Sequence, residues 1–350
     1  MNKNILFSTL CAAFLFSTFA NAQEATNGTN DENGVVNEET NVDENAWNSI
    51  AATNELRNKY KNKINKANAA LSQNIIAIEL EKNNMTKRLG EIRNLNGQTG
   101  YWARAYGGLA KYENYKDRYA AIQIGADKSP DNERFYGFLL GYLHQKTTQS
   151  LSSDSFSAGF YYSRLFNSGV FVDMVAKYIR TTTKLSNDPT LEVDNLKFSS
   201  NSFLSSFELG YRYEQSENFY IEPSAEVILG YAGENNINTN NVRLHSDSYA
   251  IFDLKPQLFF GSKINEDFSF RLGGGAYFSL ANNKTLIGLN NKIDNVDTKI
   301  KSNSRYFTSA QIAYNDGNDG RWSFEFEKGF SGKTIKQDYG VNLNYRLTFN

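Results

Sequence analysis

The chain ends in Val341-Asn342-Leu343-Asn344-Tyr345-Arg346-Leu347-Thr348-Phe349-Asn350, and this ending constrains the fold more than any other stretch. Val341, Leu343, Tyr345, Leu347 and Phe349 fall on one side of an extended strand, and Asn342, Asn344, Arg346 and Thr348 on the other. Side chains alternate across a strand, so a strict period of two with an aromatic at the penultimate position suits a strand that faces lipid on one side and a polar lumen on the other. Such a terminal strand is also what the assembly machinery of a bacterial outer membrane would recognise. A secreted β-sandwich gives the same alternation, but does not call for the terminal aromatic.

The amino terminus agrees with export. Lys3, the mostly apolar run Ile5 to Phe19 and the A-x-A site Ala20-Asn21-Ala22 before Gln23 read as a signal peptide over residues 1–22. Cys11, the only cysteine, lies inside it, so the mature chain is expected to hold no disulfide and no thiolate metal site. A net charge of -1 offers no basic field for nucleic acid. After the signal no apolar run is long enough for a transmembrane helix. Aromatics nonetheless reach 14%, as expected when girdles of Tyr and Phe sit at both interfaces of a barrel.

Three mature segments follow. Residues 23–46 carry Glu24, Asp31, Glu32, Glu38, Glu39, Asp43 and Glu44 with no basic residue and few large apolar ones, which predicts disorder. Residues 47–96 read as helical: Ile64, Leu71, Ile78, Met85 and Ile92 recur every seven residues. The stripe fits a coiled coil, although the remaining core positions fall on Asn74, Glu81 and Arg88. It fits equally a helix threaded through a negatively lined pore, since nine basic residues face four acidic ones between Glu55 and Arg93. From residue 97 the period is two, with candidate strands near 101–112, 119–128, 133–147, 153–167, 169–184, 196–214, 217–232, 247–264, 268–280, 304–315, 320–330 and 338–349. The expected fold is all-β: a twelve-stranded antiparallel transmembrane barrel with an N-terminal helix in its lumen, which has room for about one helix. Gly233 to Asn241 and Asn282 to Lys301 are expected to be extracellular loops.

The sequence resembles the translocator domain of type Va (monomeric) autotransporters. The words that carry the resemblance are Lys87-Arg88-Leu89-Gly90-Glu91-Ile92-Arg93, Trp102-Ala103-Arg104 with Gly107-Gly108, and Gly125-Ala126-Asp127. Then come Gly159-Phe160-Tyr161-Tyr162, Asp173, Glu208, Glu222-Pro223-Ser224-Ala225-Glu226 and the closing strand. The resemblance implies a monomeric outer-membrane barrel that carries its own N-terminal segment to the cell surface. Its partners would be outer-membrane lipid, the barrel assembly machinery and periplasmic chaperones; no cofactor and no metal are implied. Asn350 after the terminal aromatic departs from the family's usual final Phe, and only about sixty residues precede the pore segment, where the family normally has a long passenger.

Alternation turns Asp173, Lys177, Glu208, Arg212, Glu222 and Glu226 inward, since a charge on the lipid side costs several kcal/mol near the midplane. A subfamily with Glu-x-Asn-Asn before Lys-Arg cuts itself between the asparagines, and Glu81-Lys82-Asn83-Asn84-Met85-Thr86-Lys87-Arg88 has that spacing. The resemblance therefore implies Asn83 as nucleophile, Asn84 as the new amino terminus, and Asp173, Glu208 and Glu226 as the carboxylates that orient the reaction. The subfamily's basic partner near the penultimate strand is not evident: Lys328 is nearest, but its parity points outward. Asn-Asn also occurs at 235–236, 240–241, 282–283 and 290–291, so the pair carries meaning only in this context. The bland reading has the carboxylates merely pairing with the helix's cations. Apart from single-turnover self-cleavage, no enzyme is expected, since neither His144 nor His245 sits beside a serine in a lumenal register. The alternative function is a passenger-less, porin-like channel or structural surface protein.

Overall fold

The computed structural model describes residues 61–93, 99–112, 115–131, 133–148, 150–239, 243–280, 288–289, 304–316, 319–330 and 335–349. The signal peptide, the acidic segment 23–46, residues 47–60 and Asn350 lie outside them. Helix α1 spans Lys61–Asn83 and α2 spans Lys87–Ile92. The strands are β1 (Thr99–Tyr112), β2 (Tyr115–Lys128), β3 (Arg134–Lys146), β4 (Leu151–Leu165), β5 (Val170–Asp188) and β6 (Val193–Tyr211). They continue as β7 (Phe219–Ala232), β8 (Tyr249–Lys263), β9 (Phe268–Ser279), β10 (Arg305–Asn315), β11 (Gly320–Phe330) and β12 (Ile335–Phe349). After Arg212, Tyr213–Ser216 prolongs β6 along β7.

Each strand pairs antiparallel with the next, and β1 also pairs with β12 from Thr99↔Phe349 to Tyr112↔Ile335, which closes a barrel of twelve strands. Closure leaves no edge, so every strand can satisfy its backbone groups in hydrocarbon, where an unpaired amide costs several kcal/mol. All twelve expected strands are present, with ends differing by a few residues. In β12 the residues Asn342, Asn344, Arg346 and Thr348 are buried, whereas Leu343, Leu347 and Phe349 are exposed. The outside carries a belt of exposed apolar side chains that includes Ile122, Phe138, Phe160, Leu209, Leu272 and Phe324, a surface that water-soluble monomers rarely present. The connections 129–133, 166–169, 217–218, 264–267 and 316–319 lie at one end with both barrel termini. The strand ends Ala232, Tyr249, Ser279 and Arg305, which bound the two longest intervals of the sequence between strands, lie at the other end, which is therefore the extracellular one; of the expected loop Asn282 to Lys301, all but 288–289 lies outside the described residues. The first long connection is more ordered than expected of a loop: Asn235–Asn238 pairs with Arg243–Ser246, which also pairs with Gly288–Leu289.

The helix occupies the lumen. Ala67, Ala70, Ser72, Gln73 and Ala77 point in different directions around α1 and are all at 0 % exposure. A coiled-coil helix would keep an exposed face; this one is enclosed on all sides. The seven-residue stripe has a partner in the wall: Ile78, Met85 and Leu89 pack with Phe135, Leu139, Val175, Ile179 and Leu204. Another face places Ile75, Ile76 and Leu80 against Tyr106, Tyr119 and Leu143. Towards the extracellular end Ala67, Ala70 and Leu71 pack with Leu151, Leu185, Ile237 and Leu244. The lumen is thus partly apolar where the helix is apolar. Unboiled protein refolded in detergent should migrate differently from boiled protein on a gel; identical migration with a helical circular dichroism spectrum would contradict this architecture.

Candidate functional site

Asp173 on β5, Glu208 on β6 and Glu226 on β7 are successive cross-strand partners, and the row continues to Ser163 on β4 and Lys255 on β8. Their parity turns all three carboxylates into the lumen, where they are buried. Neighbouring strands lie about 4.8 Å apart, so three buried like charges need close partners. Ser163 Oγ and the Arg93 guanidinium donate to Asp173, the serine at 2.6 Å. Ser224 Oγ and Gln257 Nε2 donate to Glu208 at 2.6 and 2.9 Å. Thr86 Oγ1 and Lys255 Nζ each donate to Glu226 Oε2 at 3.0 Å. Glu222, nearer the periplasmic end, takes Arg93, Arg212 and Arg271 at 3.3, 2.7 and 3.1 Å.

Asn83 and Asn84 stand where the helix breaks. An uninterrupted helix would direct the Asn84 N–H to the Leu80 carbonyl. Instead Asn84 Nδ2 donates to that carbonyl at 2.8 Å, and the backbone N–H turns to the Glu81 carbonyl at 3.1 Å. An asparagine side chain that takes over a helical acceptor ends a helix in this way. Asn83 reaches the opposite wall: Arg305 Nη2 donates to its Oδ1 at 2.5 Å, and its Nδ2 donates to Gln337 Oε1 at 2.6 Å. Gln337 Nε2 in turn donates to Glu327 at 2.9 Å. Below the break, Thr86, Lys87, Gly90, Arg93, Glu208 and Lys255 line part of a cavity of about 30 Å³, room for one or two waters.

Ion pairs clamp the segment on both sides of the break. Lys177 donates to Glu81 at 2.7 Å, Arg305 to Glu79 at 2.5 Å, and Lys82 pairs with Asp253 and Glu79. Lys87 reaches Glu327 at 2.8 Å and Glu325 at 3.2 Å. The expectation of an acidic wall around a basic helix therefore needs correction. The polarity runs both ways, because the helix contributes Glu79 and Glu81 to wall cations. A lumen filled in this manner does not resemble the open channel of the alternative reading. Among the described residues no group of three or more His, Cys, Asp or Glu is placed to hold a metal ion.

Residues 101–346 match the autotransporter beta-domain family. The chain belongs to that family. The serine protease EspP of Escherichia coli O157:H7 is 30% identical over 348 residues, which cover 94% of this chain and 26% of the relative. The serine protease Pet autotransporter of E. coli O44:H18 is 28% identical over 307 residues, covering 81% of this chain and 23% of the relative. The chain thus spans about a quarter of the length of these relatives. In fold it is similar to the translocator domain of NalP from Neisseria meningitidis, with a TM-score of 0.61, 11% identity and coverage of 79% of this chain and 98% of that one. It is also similar to the beta domain of the Bordetella autotransporter BrkA, with a TM-score of 0.58, 20% identity and coverage of 72% and 100%. The protein is an autotransporter translocator barrel of the outer membrane.

The relatives correct one expectation. The reading of the chain as no enzyme, apart from single-turnover self-cleavage, is overturned by their designation as serine proteases. That reading rested on the histidines, and these speak only for the residues around them. His144 Nδ1 lies 2.8 Å from Asp154 on the outer face, and His245 Nε2 lies 2.7 Å from Asp247 beyond the barrel.

Of the sequence-predicted site residues, the autotransporter barrel brings Asp173, Glu208 and Glu226 into one row and sets Asn83-Asn84 at the helix break. The hydrogen bonds of that row go to Thr86 and Arg93, whereas those of the Asn83 side chain go to Arg305 and Gln337. Lys328 is half exposed and bonds Asp338 at 2.9 Å. The basic residue at Asn83 is Arg305, which sequence reasoning missed although it shares the inward parity of Phe307 and Ser309. Within the described residues the helical segment is interrupted between Asn83 and Lys87.

Proposed function

We propose that this barrel carries the segment amino-terminal to Lys61 to the cell surface and then cuts itself between Asn83 and Asn84. The observation that supports this most directly is the course of the helix. It runs through a closed lumen from the extracellular end at Lys61 to Arg93 near the periplasmic end, a course that supports delivery of the preceding segment to the outside. Delivery would draw on periplasmic chaperones and the barrel assembly machinery, which the terminal aromatic strand suits, after removal of the signal peptide at 1–22. Segment 23–46, or a longer passenger in the full protein, would be the cargo.

In the cleavage step Asn83 Nδ2 attacks the carbonyl carbon of Asn83 itself. A five-membered imide forms and the peptide bond to Asn84 breaks. Nδ2 gives up one proton and the departing Asn84 nitrogen gains one, so the step needs no co-reactant. An amide nitrogen is a weak nucleophile and needs an oriented base. Asp173, Glu208 and Glu226 would supply it through water held below the break, while Arg305 on Oδ1 would stabilise the charge that develops there as Nδ2 loses its proton. A peptide tag inserted at Asn45 tests the export reading: protease added to whole cells should remove it. A tag that stays protected while the barrel is correctly assembled would reject export.

A further inference from the structure

The outer face of the barrel is not uniform around its circumference. Register places Arg118 (β2), Lys146 (β3), Ser152 (β4), Lys184 (β5) and Lys197 (β6) in one continuous cross-strand row. All four cations are exposed, on the outward parity. Arg118 stands directly opposite Lys146, and Lys184 directly opposite Lys197. Like charges facing each other across strands are destabilising, so both pairs call for a shared anion. Arg180, two rows lower, and Lys116 at the start of β2 extend the patch. On the outward positions below the row Asp154 binds Lys184 at 2.7 Å. Lys116, Arg118, Lys146, Arg180 and Lys197 make no ion pair among the described residues.

The height of the row identifies its surroundings. Ten residues of β5 separate Val170, at the periplasmic end, from Arg180. At about 3.3 Å per residue and a tilt of about 40° that is roughly 25 Å, the thickness of the apolar band. Arg180 therefore stands at the rim of the hydrocarbon, and the row through Lys184, four residues further along β5, lies roughly 10 Å beyond it, in the headgroup layer of the outer leaflet. Below it on the same strands, past His144, Asp154, Thr182 and Ser199, come Tyr142, Phe156, Tyr178 and Phe203. The other half of the wall differs: Tyr231, Phe252 and Phe278 reach its extracellular margin without charge, and Lys111 and Lys328 are both bound to Asp338.

We propose that this row binds the phosphate groups of a phosphorylated glycolipid of the outer leaflet, whose acyl chains lie along the aromatic surface below. The four cations span five adjacent strands, about 19 Å, which accommodates more than one phosphate on one sugar headgroup. Phosphate between opposed cations removes their repulsion and forms charge-assisted hydrogen bonds.

The test uses the full chain refolded in detergent, with bis-phosphorylated lipid A and its dephosphorylated form as probes and retained lipid counted by native mass spectrometry. Wild-type protein should retain the phosphorylated probe at least about tenfold better, and about 0.5 M salt should abolish the difference. The combined Arg118→Gln, Lys146→Gln, Lys184→Gln and Lys197→Gln variant, checked for folding by gel migration, should retain both probes equally. Equal retention of the two probes by wild type would overturn the proposal, as would indifference to salt. Displacement by an equimolar amount of inorganic pyrophosphate would overturn it too, since it would mark a site for free phosphate. Should the variant fail to fold, the salt comparison on wild-type protein decides the matter alone.

Discussion

Purified wild-type protein is expected to lose everything before Asn84 without added protease, and Asn83→Asp to keep it. The replacement carboxylate has no N–H nitrogen to close the imide, so its chain should stay intact for at least about a hundred times as long as wild type. Asn83→Gln should fail as well, because its longer side chain cannot close the same five-membered ring. Asp173→Asn leaves the nucleophile untouched but removes a carboxylate that holds Arg93, and should slow cleavage by about two orders of magnitude. Arg305→Met withdraws the donor from Asn83 Oδ1 and strips Glu79 of its 2.5 Å partner. It should slow the reaction while leaving the barrel closed. Intact mass of the isolated barrel reads all four variants. A wild-type barrel whose mass still includes residues 23–83 would reject the mechanism and leave the fold and the export role standing.

A second large effect is expected in planar bilayers. The intact chain should conduct little, because side chains fill the space around α1 and leave cavities of only about 30 Å³ near the break. Removing residues 23–95 frees a cylinder about 10 Å across, the diameter of a helix with its side chains, and should raise conductance by about an order of magnitude. The wall groups Lys177, Asp253, Arg305 and Glu327 would lose their helical partners but gain water, so the empty barrel should still fold. Equal conductance with and without the helix would mean that it lies elsewhere.

The strands were legible in the sequence because each meets two solvents, lipid and lumen, and a period of two survives wherever that contrast is sharp. Parity likewise placed Asp173, Glu208 and Glu226 inward. The interruption after Asn83 was not legible, since no Gly or Pro stands there and an isolated Asn ends a helix only when it finds the right acceptor. Here the acceptor is the Leu80 carbonyl, with Thr86 fastened to Glu226 beyond it. Arg305 was missed because its meeting with Asn83 joins residues 222 apart in sequence across the lumen, and parity gives direction without partner. The pairing of Asn235–Asn238 with Arg243–Ser246 was hidden by asparagine-rich stretches without an apolar rhythm.

The pairing of β1 with β12 makes the relation between helix and wall mechanical as well as energetic. A chain that enters a closed ring at one end and joins its wall at the other is threaded, like an axle through a wheel. It has no sideways exit, and weakening the ion pairs at Lys82, Lys177 or Arg305 would let it rattle without letting it go. Denaturant too dilute to open the ring cannot separate the two parts, and a folded body wider than the bore placed before Lys61 would lock the thread in place. One cut at the turn after Asn83 changes the kind of attachment altogether. The extracellular portion then becomes an ordinary ligand held by its contacts and free to slide out along the axis. The short portion from Asn84 to Arg93 stays behind as a tethered stopper.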